Sequence, residues 1–232
     1  MIDIHCHALY GVDDGAVDRE MSIGMLKDAA AQGVTAIVLT PHYRKGMFSY
    51  PLEKIQAAYQ DLYEEAENIG LSLYSGCEYH VDSDMGENFN QGRCLTLAGS
   101  DYVLAEYGYE TTYDFIRKSL NNLAAHGYSP VIAHAERYEV FIKKPQLLRE
   151  MRDMGAKVQI NADSVIGKEG FWTKQLCKKI IKEHLLDIVA SDSHNMTDRG
   201  NHMKECYLYI AKKFGEERAK KLMEINPGKI IE

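Results

Sequence analysis

Short runs of β-branched and other apolar residues recur along the chain, and a stretch with helical apolar spacing follows most of them. Seven such runs read as strands, over residues 2–7, 34–39, 71–77, 102–106, 130–134, 156–161 and 187–190. After the first, Met21, Met25, Leu26 and Ala29 fall on one helical face before Gly33 ends the segment. Further helices are predicted over 52–69, 113–126, 146–154 and 171–183, with Gly70, Gly127 and Gly155 where C-terminal stops belong. The tail over 201–224 continues the helical pattern.

Strands alternating with helices argue for parallel pairing through right-handed crossovers. No linker, charge block or low-complexity segment interrupts the pattern, so one domain over residues 1–232 is expected. A chain of this length buries a large core. Seven units fit either an open doubly wound sheet or a closed barrel, and periodicity does not choose between them. The polar positions do.

His, Asp and Glu gather at the C-terminal ends of these strands. The first gives His5 and His7, with Asp14 just beyond; the second ends in Thr40-Pro41-His42 and the third in Cys77-Glu78. The fourth ends in Glu106, the fifth in His134-Ala135-Glu136-Arg137 and the seventh in Asp192-Ser193-His194. Glu78, Glu106 and His134 follow one another at intervals of 28 residues, about one βαβ unit of ~30 residues. Constant phase in a repeating unit brings such side chains to one rim, where α/β barrels hold their active sites. An open sheet would splay the outermost apart, so a (β/α)7 TIM-like barrel is expected.

Period-two alternation points both imidazoles of His5-Cys6-His7 to one face, about 7 Å apart along the strand. Imidazole suits Zn, Mn or Fe, and carboxylate oxygens suit the harder ions of that group. A lone histidine is more often packed than ligating; six of seven strands ending in ligand types is a different observation. His5, His7, Asp14, His42, Glu78, Glu106, His134, Asp192 and His194 are therefore candidate metal ligands, enough for two or three ions if one carboxylate bridges.

Composition narrows the class. The chain is 45% hydrophobic and 26% charged, which excludes collagen, low-complexity disorder and a disulfide scaffold. A net charge of -7 lowers the expectation of a nucleic-acid partner. The five cysteines form no CxxC pair, and MIDIHCHALY has neither a basic n-region nor an apolar h-region. No run approaches the ~18 apolar residues of a membrane span. A cytoplasmic protein without membrane insertion is expected.

The ordered set His5-x-His7, Thr40-Pro41-His42, Glu78, Glu106, His134-x-Glu136-Arg137 and Asp192-x-His194 resembles the PHP (polymerase and histidinol phosphatase) superfamily. Within it, MIDIHCH, VDDG, PVIAHAERY and VASDSHN resemble the bacterial manganese-dependent protein tyrosine phosphatases of capsule and exopolysaccharide operons, over essentially the whole chain. The resemblance implies a distorted seven-stranded barrel with three divalent metals, Mn²⁺ first, with Fe or Zn also compatible. It would put one ion on His5, His7, Glu78 and Asp192, a second on a bridging Glu78 with Glu106 and His134, and a third on Asp14, His42 and His194. Many superfamily members have His where Glu106 stands, which favours a harder ion here. The implied partner is the tyrosine-rich tail of a membrane-linked tyrosine kinase that regulates polysaccharide export.

Three divalent ions against four carboxylates leave the site about +2, suited to a phosphate dianion. Water bridging two ions would be the nucleophile, expelling the tyrosyl oxygen in line without a phosphoenzyme. Arg137 and Arg199 are the phosphate clamps, since each guanidinium offers a fork to two oxygens. Asp198 and His194 are both candidates to assist the leaving group. The loop Tyr43-Arg44-Lys45-Gly46-Met47-Phe48-Ser49-Tyr50 should lie over the rim, with Arg44 and Lys45 facing an acidic phosphopeptide and the aromatics the tyrosyl ring.

A cysteine-based phosphatase needs Arg six positions after its Cys, and no cysteine here has one. Cys6 is expected in the core. Asp82-Ser83-Asp84 resembles the start of a calcium loop, but Glu87 and Arg93 stand where Gly and Glu are needed. A small-molecule phosphatase of the histidinol-phosphate type is the alternative, and a non-catalytic metal-binding regulatory module a third reading.

Overall fold

The computed structural model describes residues 1–232. Ten strand segments are present: β1 (Ile2–Cys6), β2 (Ala36–Leu39), β3 (His42–Arg44), β4 (Phe48–Ser49), β5 (Ser72–Ser75), β6 (Glu78–His80), β7 (Tyr102–Glu106), β8 (Ser129–Ile132), β9 (Lys157–Asn161) and β10 (Ile188–Ala190). Two of the strands read from the sequence run further than expected, each with a break. β2 and β3 are halves of one strand interrupted at Thr40-Pro41, where proline has no N–H for a ladder. β5 and β6 are halves of another, interrupted at Gly76-Cys77.

Neighbouring strands pair in parallel in the order β1, β2, β5 on one side of the breaks and β10, β9, β8, β7, β6, β3 on the other. Glu78 N–H donates to the Pro41 carbonyl at 3.1 Å, carrying the pairing across the interruption. The circuit closes between the first strand and the last. His7 N–H donates to the Ser193 carbonyl and Asp192 N–H to the His5 carbonyl, each at 2.9 Å, and Cys6 pairs in parallel with Ser193. The result is a distorted seven-stranded α/β barrel, with β4 added as an antiparallel hairpin arm on β3.

The helices are α1 (Arg19–Ala31), α2 (Leu52–Asn68), α3 (Met85–Asn90), α4 (Tyr113–Ala125), α5 (Glu139–Lys143), α6 (Leu147–Asp153), α7 (Ala162–Ile166), α8 (Phe171–Lys182), α9 (Met203–Phe214), α10 (Glu216–Lys220) and α11 (Asn226–Ile231). α1 starts where the Asp18 carboxylate accepts from Met21 N–H at 2.8 Å, and it buries Met25, Leu26 and Ala29 as expected. The tail is not one helix: Gly215, at φ +97°, ends α9, and a π turn over Lys221–Ile225 leads into α11. No helix is long and apolar enough to cross a membrane.

Two apolar layers result. Ile37, Leu39, Val103, Ile132, Val158, Ile160 and Val189 face the helices in the main core. Ile4, Val38, Leu104, Val131 and Ile188, from strands spread around the circuit, meet inside the barrel, with Ile230 of α11 against them. Each such aliphatic side chain contributes roughly 1.5–3 kcal/mol on full burial. Ile4 and Cys6 are two apart, yet Ile4 is in the inner layer and Cys6 in the outer core. The register between β1 and β2 shifts between Asp3 and Cys6, a bulge that changes the phase of the strand. That shift lets His5 turn inward directly above Ile4.

Candidate metal centre

Above the inner layer the lining becomes polar. Leu104 is inside, so Glu106 two residues on is inside at the rim; Ile188 and Ala190 lead in the same way to Asp192. His134 and Asp192 leave the strands in the left-handed region, at φ +29° and +54°, which is uncommon for residues other than glycine. Such backbone persists where the surroundings hold it.

All nine candidate ligands meet there. Glu78 Oε2 lies 3.0 Å from His5 Nε2, 3.1 Å from His7 Nε2 and 3.1 Å from His42 Nδ1, and Glu78 Oε1 lies 2.9 Å from His134 Nε2. His5 Nε2 and His7 Nε2 are 3.2 Å apart, nearer than the strand repeat alone would place them, because both side chains converge on Glu78 Oε2. Asp192 Oδ1 is 3.4 Å from His5 Nε2, and Glu106 Oε1 is 3.8 Å from His134 Nε2. Asp14 Oδ1 completes the far side, 3.5 Å from His42 Nε2 and 3.6 Å from His194 Nε2.

Three groups of donor atoms lie within 4.8 Å of one another: His5, His7, Glu78 and Asp192; His7, Asp14, His42 and His194; and His42, Glu78 and Glu106. The first carries the four residues expected on one ion. The second contains the three expected on another and adds His7. The third brings His42 to Glu78 and Glu106, while His134 stays against both carboxylates. Glu78 Oε2 and His194 Nε2 are buried without a hydrogen-bond partner. Imidazole lone pairs and carboxylates turned on one another need cations between them, so the donor set fits divalent metals.

Without ions, the buried charges shift one another. Burial pushes the Glu78 carboxyl up, but His5, His42 and His134 outweigh it and hold it well below the ordinary carboxylate range. Burial likewise opposes charge on Asp192, and His5 and Arg137 bring it down. For His7 burial disfavours the imidazolium, yet Asp13 and Glu78 hold it well above its ordinary value. Burial lowers His42 and His194, and His7 adds to the effect.

The ring nitrogens turned away from the cluster have partners. His7 Nδ1 lies 2.8 Å from Asp13 Oδ2, His194 Nδ1 2.9 Å from the Asp192 carbonyl and His134 Nδ1 3.2 Å from the Tyr138 hydroxyl. Such outer partners fix ring orientation and tautomer. Asp13 was missed from sequence although it precedes Asp14; it is buried and also accepts from His42 N–H and Gly15 N–H. Gly15 is required, since a Cβ there would run into the His7 carbonyl. His80 was missed too, its Nδ1 3.0 Å from Glu106 Oε2; its two-residue spacing from Glu78 was the available signal.

Both arginines reach the same ligand. Arg137 Nη1 donates to Asp192 Oδ2 at 2.9 Å and Arg199 Nη2 lies 3.8 Å from Asp192 Oδ1, with Arg199 Nη1 3.4 Å from Asp14. They wall a cavity of about 230 Å³ together with Arg44, Met47, Phe48 and ligand side chains. Lys45 does not join them: its ammonium is 3.2 Å from Asp84, and the side chain is 71% exposed. The loop aromatics divide similarly. Phe48 stacks on His42, whereas Tyr43 packs on Tyr79, and Tyr50 is buried with its hydroxyl donating to the Gly76 carbonyl. Asp198 accepts from Asn195 and Thr197 in its own turn and is absent from the cavity wall.

Cys6 is buried away from the cluster with its sulfur 3.2 Å from Ser193 Oγ, and all five cysteines are free and buried. Asp82 Oδ1 accepts from Asp84 N–H, making a turn before α3.

The sequence profile of the capsular polysaccharide synthesis family CpsB/CapC matches residues 1–232. The chain is 38% identical to tyrosine-protein phosphatase CpsB of Streptococcus pneumoniae, covering 100% of this chain and 98% of that protein. It is 32% identical to tyrosine-protein phosphatase YwqE of Bacillus subtilis, covering 94% and 86%. A crystal structure from work on YwqE of Bacillus subtilis and CpsB of Streptococcus pneumoniae, described as unique metal-dependent tyrosine phosphatases, superposes with a TM-score of 0.93 at 31% identity, covering 100% of this chain and 94% of that one. The phosphotriesterase homology protein of Escherichia coli shares the fold at TM-score 0.64 and 12% identity, covering 99% and 98%.

Proposed function

The chain belongs to the capsular polysaccharide synthesis family CpsB/CapC, and on that premise we propose that it is a metal-dependent protein tyrosine phosphatase working at the rim described above. The observation that carries this is the buried Glu78 carboxylate, with imidazoles from β1, β3 and the turn after β8 within 3.1 Å of it and two arginines over the same cup.

Three divalent ions are assigned: one to His5, His7, Glu78 and Asp192, one to Glu78, Glu106 and His134, and one to Asp14, His42 and His194. Four carboxylates among the nine donors favour Mn²⁺ over softer ions. Bound there, the ions supply Lewis acidity, drawing charge from phosphate oxygens and acidifying water.

The rest falls to side chains. Arg137 and Arg199, meeting at Asp192 from two sides, hold the phosphoryl oxygens. Met47 and Phe48 give the tyrosyl ring an apolar wall, and Arg44 receives acidic peptide. The oxygen of water bonds to phosphorus as the tyrosyl oxygen leaves in line, the water giving up a proton and the departing phenolate taking one, so no phosphorylated side chain is formed. The buried cysteines support this reading. The natural substrate is the phosphorylated tail of a membrane-linked tyrosine kinase that controls capsule or exopolysaccharide synthesis, met in the cytoplasm.

The test is to strip the protein with chelator and measure phosphate release from a phosphotyrosyl peptide and from histidinol phosphate, before and after adding Mn²⁺. Release from the peptide that returns only with metal is expected. Turnover of histidinol phosphate alone would replace the substrate assignment.

A further inference from the structure

β9 is the one complete strand that ends without a candidate ligand. Its outward face is ordinary, with Val158 and Ile160 in the main core. Its inward face is two fully buried amides, Gln159 and Asn161, at the height where neighbouring strands turn from apolar to ligating side chains.

Their hydrogen bonds have one direction. Gln159 Oε1 accepts from His134 N–H at 2.7 Å and lies 3.3 Å from His5 Nδ1. Gln159 Nε2 donates to Asn161 Oδ1 at 2.8 Å, and Asn161 Nδ2 donates to Asp192 Oδ2 at 2.7 Å. A backbone N–H only donates and an ionised carboxylate only accepts, so both ends of the chain are fixed and neither amide is free to flip. His5 Nδ1 therefore faces an acceptor and carries the proton. Its Nε2 lone pair is left pointing at Glu78 and Asp192.

The same oxygen acts on His134. The ladder on that strand ends where Ala133 N–H donates to the Ala105 carbonyl; the next N–H, that of His134, turns to Gln159, and the residue takes its left-handed backbone there. We propose that Gln159 and Asn161 are positioning residues for divalent cation binding, an amide relay that sets the tautomer of His5, the backbone turn of His134 and the carboxylate plane of Asp192. The proposal rests on the metal assignment of the preceding section.

The experiment compares wild type, Gln159→Met, Gln159→Glu and Asn161→Leu. Each is stripped with chelator, checked for fold by circular dichroism and titrated with Mn²⁺ by calorimetry. Gln159→Met fills the space without the oxygen and should weaken Mn²⁺ binding about 10–100-fold, as loss of an outer-shell partner does. Gln159→Glu keeps an oxygen towards His5 and His134 but loses the donor to Asn161 Oδ1, so it should recover only part of the affinity lost in Gln159→Met. A folded Gln159→Met protein with wild-type affinity overturns the relay. Should Gln159→Met not fold, Asn161→Leu decides: weakened binding supports the relay and unchanged binding overturns it. Wild-type protein that takes up no cation would instead overturn the metal assignment, and the relay with it.

Discussion

Arg137 Nη1 lies 2.9 Å from Asp192 Oδ2, so a side chain assigned to the phosphate is already bound to one assigned to the metal. Charge neutralisation at Asp192 is therefore shared between cluster and substrate clamp. The outer edge of the same guanidinium meets Glu169 at 3.1 Å.

Replacing Arg137 should thus harm substrate engagement first. Arg137→Ala is expected to lower kcat/KM for a phosphotyrosyl peptide by about 100-fold, on the scale of losing a charge-assisted bidentate contact. Arg137→Lys should recover only part, since a point charge lacks the fork. Steady-state kinetics at saturating Mn²⁺ check this, and unchanged KM and kcat would remove Arg137 from the site.

His134→Ala should lower phosphatase activity by at least about 100-fold, because it strips a donor from Glu78 and Glu106. The inner apolar layer lies below it, so the circular dichroism spectrum should remain native. Full activity in this variant would refute the ligand assignment.

Arg44 and Lys45 are neighbours with different fates. Arg44→Ala should raise KM for an acidic phosphopeptide several-fold, by roughly 1 kcal/mol of lost contact. Lys45→Ala should leave kcat/KM within about twofold, as expected of a solvent-exposed ion pair away from the cavity. Equal effects from the two would mean that substrate covers the outer loop as well.

Chelated protein should show a stability maximum near neutral to mildly acidic pH. Glu78 and Asp192 are held below their unfolded values near 4, so their contribution is present above about pH 5 and is lost as the pH falls through the folded values. His7 has the opposite sign. Held above its ordinary value, it contributes fully below about pH 6 and loses that contribution as the pH rises through the folded value. Thermal midpoints across pH 3–9 in chelator should fall on both sides, and added Mn²⁺ should remove the alkaline fall by replacing the proton at His7. A flat profile in chelator would refute the coupling.

Much of this was legible in the sequence, because two simple periods carry it. Alternation of strand and helix pointed to parallel α/β units, and the His, Asp and Glu types at strand ends pointed to a barrel rim and to the nine residues that meet there. What the sequence did not disclose depends on contacts across strands. The bulge in β1 is visible only as a shift against β2, and the breaks at Pro41 and Cys77 only as gaps in pairing. Asp13 drew no notice beside Asp14, because its role rests on contacts with His7 and, further along the chain, His42, and Lys45 read like Arg44 because nothing local distinguishes two adjacent loop cations. Gln159 and Asn161 were passed over since an amide on a strand has no chemical signature until its partners are known.

The inner layer of Ile4, Val38, Leu104, Val131 and Ile188, with Ile230 beneath, makes the cup blind at its lower end. Traffic therefore runs through one door. On the proposed assignment, tyrosyl product would depart before phosphate and phosphate before the ions, so an anion that lingers under the two arginines would also slow the escape of metal. Inorganic phosphate in the surroundings would act at once as a competitor of substrate and as a stopper that keeps the protein charged with its ions.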